Sequence, residues 1–137
     1  MTNTHINFDG HKVTTNKVGE VHNTTVNTTD YYSNFGNAGV SYKVVNGTCH
    51  VLITQITPKT ASVNADKNLA SRLPKCGLYT SYPIWNSSFQ NIGYVFIDMN
   101  SVSITCHPNV ETMFWCSFSY PVADDWEEST ASEQSAR

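Results

Sequence analysis

Residues 92–98, Ile-Gly-Tyr-Val-Phe-Ile-Asp, open the first of three closely spaced strand patterns. The second, Val102-Ser103-Ile104-Thr105-Cys106, puts apolar groups on one face and small hydroxyls on the other, which describes a half-buried strand with a wet side. The third, residues 113–120, reads Met-Phe-Trp-Cys-Ser-Phe-Ser-Tyr, and so many aromatic rings fit a pleated sheet better than a helix. Only Met99-Asn100-Ser101 separates the first two, short enough for a hairpin. Upstream, the apolar runs at 40–45 and 49–56 flank Asn46-Gly47. Both of those residues tolerate positive φ, so this is the strongest hairpin signal in the chain.

Between these patterns the alternation fails. Residues 57–72 carry Lys59, Asp66, Lys67 and Arg72, and read as a long loop with one short helical turn around Asn68-Leu69-Ala70. From Leu73-Pro74 to Trp85, aromatics interleave with Gly and Pro, which predicts a loop or an edge strand. Residues 1–30 are rich in Asn, Thr, His and Gly, with Val13, Val18, Val21 and Val26 as sparse apolar contacts; this is a polar N-terminal attachment segment or a set of weak strands. The near repeat at 23–29 is too short for a solenoid. After Pro121 the chain turns acidic, and 124–137 reads as a disordered tail. The expected fold is all-β, an antiparallel jelly-roll-like β-sandwich, with its head domain over residues 31–123.

At 137 residues the chain is the size of one domain, able to bury roughly 70% of its unfolded surface. Charged residues make up only 14%, while Asn, Ser and Thr are abundant, a balance that favours strands and turns over helix. A net charge of -3 and a pI near 5.9 argue against nucleic acid as a partner, because phosphate binding needs clustered Lys and Arg. No apolar run approaches the roughly 18 residues of a membrane span, so membrane insertion is not expected. The polar start Met1-Thr2-Asn3-Thr4-His5 lacks a signal-peptide pattern, which predicts synthesis in the cytoplasm without export. The sequon matches at Asn23, Asn27, Asn46 and Asn86 then read as by-products of composition.

Candidate chemistry is sparse. Cys49, Cys76, Cys106 and Cys116 allow three pairings, but in a reducing compartment buried free thiols are expected. Neither Cys49-His50 nor Cys106-His107 is expected to hold a metal, because adjacent strand residues point to opposite faces. The histidines at 5, 11, 22, 50 and 107 sit in no metalloprotease or nucleophile-elbow motif. Asp98 reads as a turn residue, and Asp124-Asp125 belong to the acidic tail, so no opposed carboxyl pair is nominated. No enzyme activity, cofactor or metal is expected. Tyr79, Tyr82 and Trp85, with the adjoining Asn86, are the candidate ligand-binding residues, since Tyr and Trp give large rigid contact area at low entropy cost. Packing in the core or against another subunit is the competing reading for each ring.

Taken together, the hairpin Tyr42 to Gly47, the Val-Leu-Ile strand at 51–53, the Ala-x-x-Leu-Pro-x-x-Gly loop at 70–77, the Gly93 to Ile104 hairpin and the closing Ser119-Tyr120-Pro121 resemble C-terminal head domains. These are the receptor-binding heads of tail-fibre and baseplate proteins from phages and prophages of Gram-positive bacteria. The resemblance covers residues from about 40 to 122, and departs from the family at Lys75-Cys76-Gly77. It implies a jelly-roll-like head that assembles as a homotrimer, contacts other tail or baseplate proteins, binds a host cell-surface saccharide or other receptor, and resides in the virion. A free-standing carbohydrate-binding module or lectin-like domain is the alternative, and a polysaccharide depolymerase with a site between subunits is the third.

Overall fold

A computed structural model describes residues 19–33 and 39–127, together with the backbone of residues 5–8 and 11–14. Among the described residues there is no α-helix; strands and turns account for the fold. Strands β1 (His5–Phe8) and β2 (His11–Thr14) pair only with each other. The first sheet of the main body contains β3 (His22–Thr24), β5 (Val40–Val45), β6 (Thr48–Pro58) and β11 (Phe114–Pro121), in that order. Strand β4 (Tyr31–Ser33) lies along the last residues of β6. The second sheet runs β8 (Thr80–Trp85), β9 (Asn91–Ile97), β10 (Ile104–Pro108) and β7 (Lys67–Ala70). Every pairing is antiparallel, and the sheets join at both edges into a nearly closed sandwich, as the sequence predicts.

Alternation decides which residues fill the space between the sheets. Cys49, Val51 and Ile53 of β6 lie side by side with Phe114, Cys116, Phe118 and Tyr120 of β11 on the inner face of the first sheet, with Ile92, Val95, Ile97, Ile104 and Cys106 coming from the second sheet. Each fully buried Ile or Val contributes about 1.5–3 kcal/mol relative to an exposed one. All four cysteines are buried and none is in a disulfide. Two phenols cross this core to reach backbone carbonyls: Tyr31 donates to Lys67 O at 2.8 Å and Tyr120 to Pro74 O at 2.7 Å. A buried carbonyl left without such a donor costs about 1–3 kcal/mol, so Tyr31 ties down the start of β7 and Tyr120 the Leu-Pro loop.

The Asn46-Gly47 hairpin forms as expected, with φ of 51° and 79° at its two turn residues. Three other expectations are corrected. Residues 57–72 are not one loop, because β6 continues to Pro58, a single 3₁₀ turn covers Thr60–Ser62, and Lys67–Ala70 is strand β7 rather than a helical turn. Tertiary pairing overrides the local composition there: Leu69 and Ala70 are buried, and Ala70 pairs with Ile104 on one side and bridges Val26 on the other. The β9–β10 connection is longer than Met99-Asn100-Ser101, since β10 begins at Ile104. The backbone of residues 100–102 is instead bonded to the Leu-Pro loop, through Asn100 N–H to Cys76 O, Cys76 N–H to Ser101 O and Leu73 N–H to Val102 O, at 2.8–2.9 Å. Finally, β8 is not an edge strand, since it lies between β9 and β11. The start of the acidic tail is held in place, with Asp125 2.8 Å from Lys75 and Trp126 packed against the core. The predicted disorder of 128–137 falls outside the described residues.

The register shifts at three places, between Pro83 and Trp85, between Ile104 and Thr105, and between Phe114 and Cys116, and the last changes the phase of burial along β6. On β6, Thr54 and Gln55 together oppose the single residue Trp115, because Ile53 pairs with Cys116 and Ile56 with Phe114. Gln55 takes a φ of 50°, and the buried positions change phase, from 49, 51 and 53 to 56 and 58. Gly93 marks the other tight point. Its φ is 137°, and a Cβ there would run into the backbone carbonyl of His107 on β10. Gly93→Ala is therefore expected to lower unfolding free energy by at least about 2 kcal/mol, because backbone cannot move aside. Gly47→Ala, with open space around it, should lose only about 1 kcal/mol from its positive φ. Urea denaturation of the two variants checks this ranking, which equal losses would contradict.

Candidate functional site

The outer face of the second sheet carries a ladder of rings. On β9, Tyr94 and Phe96 occupy alternate positions that point away from the core, because Val95 and Ile97 between and beyond them are buried. Their centroids are 6.0 Å apart. Tyr79, just before β8, reaches Phe96 at 6.1 Å. In the other direction Tyr94 pairs with His107 of β10, and the two rings stack at 5.0 Å with only 6° between their planes. The register fills the rest of the face: Ser81 and Thr105 flank Phe96, and Pro83 lies beside Tyr94. The result is a row of ring faces edged by hydroxyls.

His107 ends the row and is held there. Its Nδ1 lies 2.7 Å from Asp66 Oδ1, and since an ionised carboxylate can only accept, the ring nitrogen is the donor. That bond together with the stacking on Tyr94 fixes the imidazole plane and leaves Nε2 for a ligand. Asp66 is itself largely exposed, so its second oxygen is open to solvent or to a hydroxyl. A shallow depression of about 390 Å³ adjoins Tyr94, lined in part by Ser81, Pro83 and Asn109. Exposure matters here: Tyr79 keeps 52% of its surface and Tyr94 38%, so ring area is presented rather than buried.

The four residues nominated from the sequence are not brought together. Tyr79 belongs to the ladder. Tyr82 is the register partner of Val95 and lies 5.6 Å from the Phe118 ring, yet it keeps 40% of its surface exposed and lines the same shallow depression as Tyr94. Trp85 points outward at the far end of β8, opposite Trp115. Asn86 is buried, and its side chain is engaged in the turn that follows: Oδ1 accepts from the amides of Ser88 and Gln90 at 3.0 Å each, and Nδ2 donates to Gln90 Oε1 at 2.9 Å. Tyr94, Phe96 and His107 of the ladder, and Asp66 beside His107, are not among the residues nominated from the sequence. The available signal was aromatic residues at the polar phase of an alternating strand.

Other polar constellations offer less. His50 Nδ1 lies 2.9 Å from Ser119 Oγ on the outer face of the first sheet, a hydroxyl–imidazole contact of the kind that nucleophilic catalysis uses. The register neighbour of His50 on β5 is Lys43, however, and a cation there opposes the imidazolium that such catalysis must form. Burial pushes the Cys116 thiol up to about 11, and raises Cys76 and Cys106 as well, so these three stay protonated at neutral pH. A cleft of about 610 Å³ opens where Leu78 and Pro121 meet Asp124 and Asp125. Asp125 is occupied by Lys75, whose hydrogen bond holds its carboxyl below the usual range.

No family model, curated protein or solved structure matches the chain.

The separation of Asn86 from the ladder has a measurable consequence. Asn86→Ala is expected to lower stability by about 1–2 kcal/mol, by releasing two turn amides, while leaving ligand affinity at the ladder unchanged. Paired denaturation and binding measurements on that variant check it; lost affinity with unchanged stability would return Asn86 to the site.

Proposed function

We propose that this chain is a non-enzymatic binding protein that docks saccharide on the ladder Tyr79, Phe96, Tyr94 and His107, and that it serves as a receptor-binding head of a phage or prophage tail fibre or baseplate. The ladder carries the reading. Aromatic faces hold a negative quadrupole that attracts the polarised C–H groups on one side of a pyranose, while hydroxyls and an imidazole at the edges reach the sugar's own hydroxyls. Successive centroids separated by 5.0–6.1 Å suit a chain of rings better than one small molecule.

Charge narrows the partner class. Single-stranded nucleic acid also stacks on exposed rings, but it needs a basic groove for its backbone. The charged group fixed at this ladder is the carboxylate of Asp66, and the whole chain carries -3. A neutral polymer is compatible with that field and a polyphosphate is repelled by it. The resemblance of residues 40–122 to tail-fibre heads supplies the biological setting: host attachment, with a homotrimer and other tail proteins as partners. Three copies of a weak site would gain avidity without new contacts.

Binding of purified Gram-positive cell-wall polysaccharide, followed by surface plasmon resonance or on a glycan array, tests the reading. Wild-type protein is expected to bind, and Tyr94→Ala to weaken binding at least about tenfold, in line with the loss of a central aromatic anchor. Phe96→Ala should act similarly and Tyr79→Ala, at the end of the row, less. Unchanged binding by the Tyr94 and Phe96 variants would overturn the assignment of the site.

A further inference from the structure

A second hollow lies on the outer face of the first sheet, away from the ladder. It arises from the β6 bulge. Because Thr54 and Gln55 share one partner, the strand buckles beneath Trp115, and these residues with Leu52 enclose about 260 Å³. Leu52 and Trp115 keep 47% and 39% of their surfaces exposed, so both apolar walls are accessible. The space falls below the roughly 300–1,000 Å³ of sites for drug-sized molecules. It holds one substituent of a ring, with the indole free to cover the ring itself.

Polar groups at its rim restrict what that substituent is. The Gln55 carboxamide offers both a donor and an acceptor, and makes no side-chain hydrogen bond among the described residues. Thr54 Oγ1 donates weakly to Gly39 O at 3.4 Å, which leaves its lone pairs to accept. The non-glycine φ of 50° places Gln55 at this hollow rather than in regular strand. Bulges and positive-φ side chains of this kind are over-represented where a side chain is re-aimed toward a ligand. An apolar cup with a primary amide and a hydroxyl at its lip matches an acetamido group, with methyl against Leu52 and Trp115, carbonyl toward the Gln55 N–H, and N–H toward Thr54 or the Gln55 oxygen.

We propose that the hollow formed by Leu52, Thr54, Gln55 and Trp115 binds the N-acetyl group of an N-acetylhexosamine, independently of the aromatic ladder. Losing the methyl contact and the two hydrogen bonds of the amide carbonyl and N–H makes glucose or unacetylated glucosamine at least about tenfold weaker ligands than N-acetylglucosamine.

The test is a titration of the whole chain with N-acetylglucosamine, glucose and glucosamine, followed through the indole N–H signals of the tryptophans in NMR. The expected result is a saturable shift of the Trp115 indole with the acetylated sugar, and a tenfold or weaker response to the other two. Gln55→Gly is the informative variant, because glycine takes a φ of 50° without strain; it should stay folded and lose affinity for the acetylated sugar by about fivefold to tenfold. Tyr94→Ala should keep this response while losing polysaccharide binding, which separates a failure of the hollow from a failure of the ladder. Equal shifts from all three sugars, an unmoved Trp115 indole, or full affinity in Gln55→Gly would each overturn the proposal.

Discussion

Backbone amides and carbonyls at the edges of a sheet must find partners or remain a template for pairing with other chains. This chain meets that constraint by sewing its two sheets together at both sides, and the rest of the structure depends on the two seams. At one, Val26 bridges Ala70 and the Asn27 amide donates to Leu69 O at 2.8 Å. At the other, β8 and β11 pair through Trp85 and Trp115, and an isolated bridge joins Cys76, before β8, to Val122, just after β11. Between those two points lies Pro83, which has no amide to donate. There the seam is closed by side chains instead, with Tyr82 against Phe118 and the Cys116 thiol 3.5 Å from Pro83 O.

Closing the seams turns one face of each main-body sheet into the core, and the ladder and the hollow lie on the outer faces. The two faces then differ for local reasons. The second sheet keeps its register from Tyr94 to Phe96, between shifts at Pro83/Trp85 and Ile104/Thr105, and so lays its rings in a row. The first sheet is interrupted at Gln55, and so makes a hollow. The proposed saccharide ladder and acetamido hollow rest on these two shapes respectively. Both follow from where alternation is kept and where it slips.

Much of the scaffold was legible in the sequence because alternation reports burial directly. The hairpin at Asn46-Gly47 and strand β11 needed only period two and turn chemistry. Strand β7 was not legible: Lys67-Asn68-Leu69-Ala70 carries no strand signal of its own, and is extended because Ile104 and Val26 flank it from distant parts of the chain. The candidate site was only partly visible. Tyr79 stood out by its aromatic neighbourhood, which also drew in Tyr82, packed on Phe118 and lining the depression beside Tyr94, and Asn86, which closes a turn. Asp66 and His107 are 41 residues apart, and nothing in either local stretch announces their contact.

Native-state hydrogen exchange at the seams is the most direct test of this account. The amides of Asn27 and Gly77, bonded to Leu69 O and Pro121 O, are predicted to exchange as slowly as those in the middle of β6 and β9, opening only with global unfolding. Rapid exchange of both amides while the central strands stay protected would contradict the claim that the sandwich depends on closure at its edges.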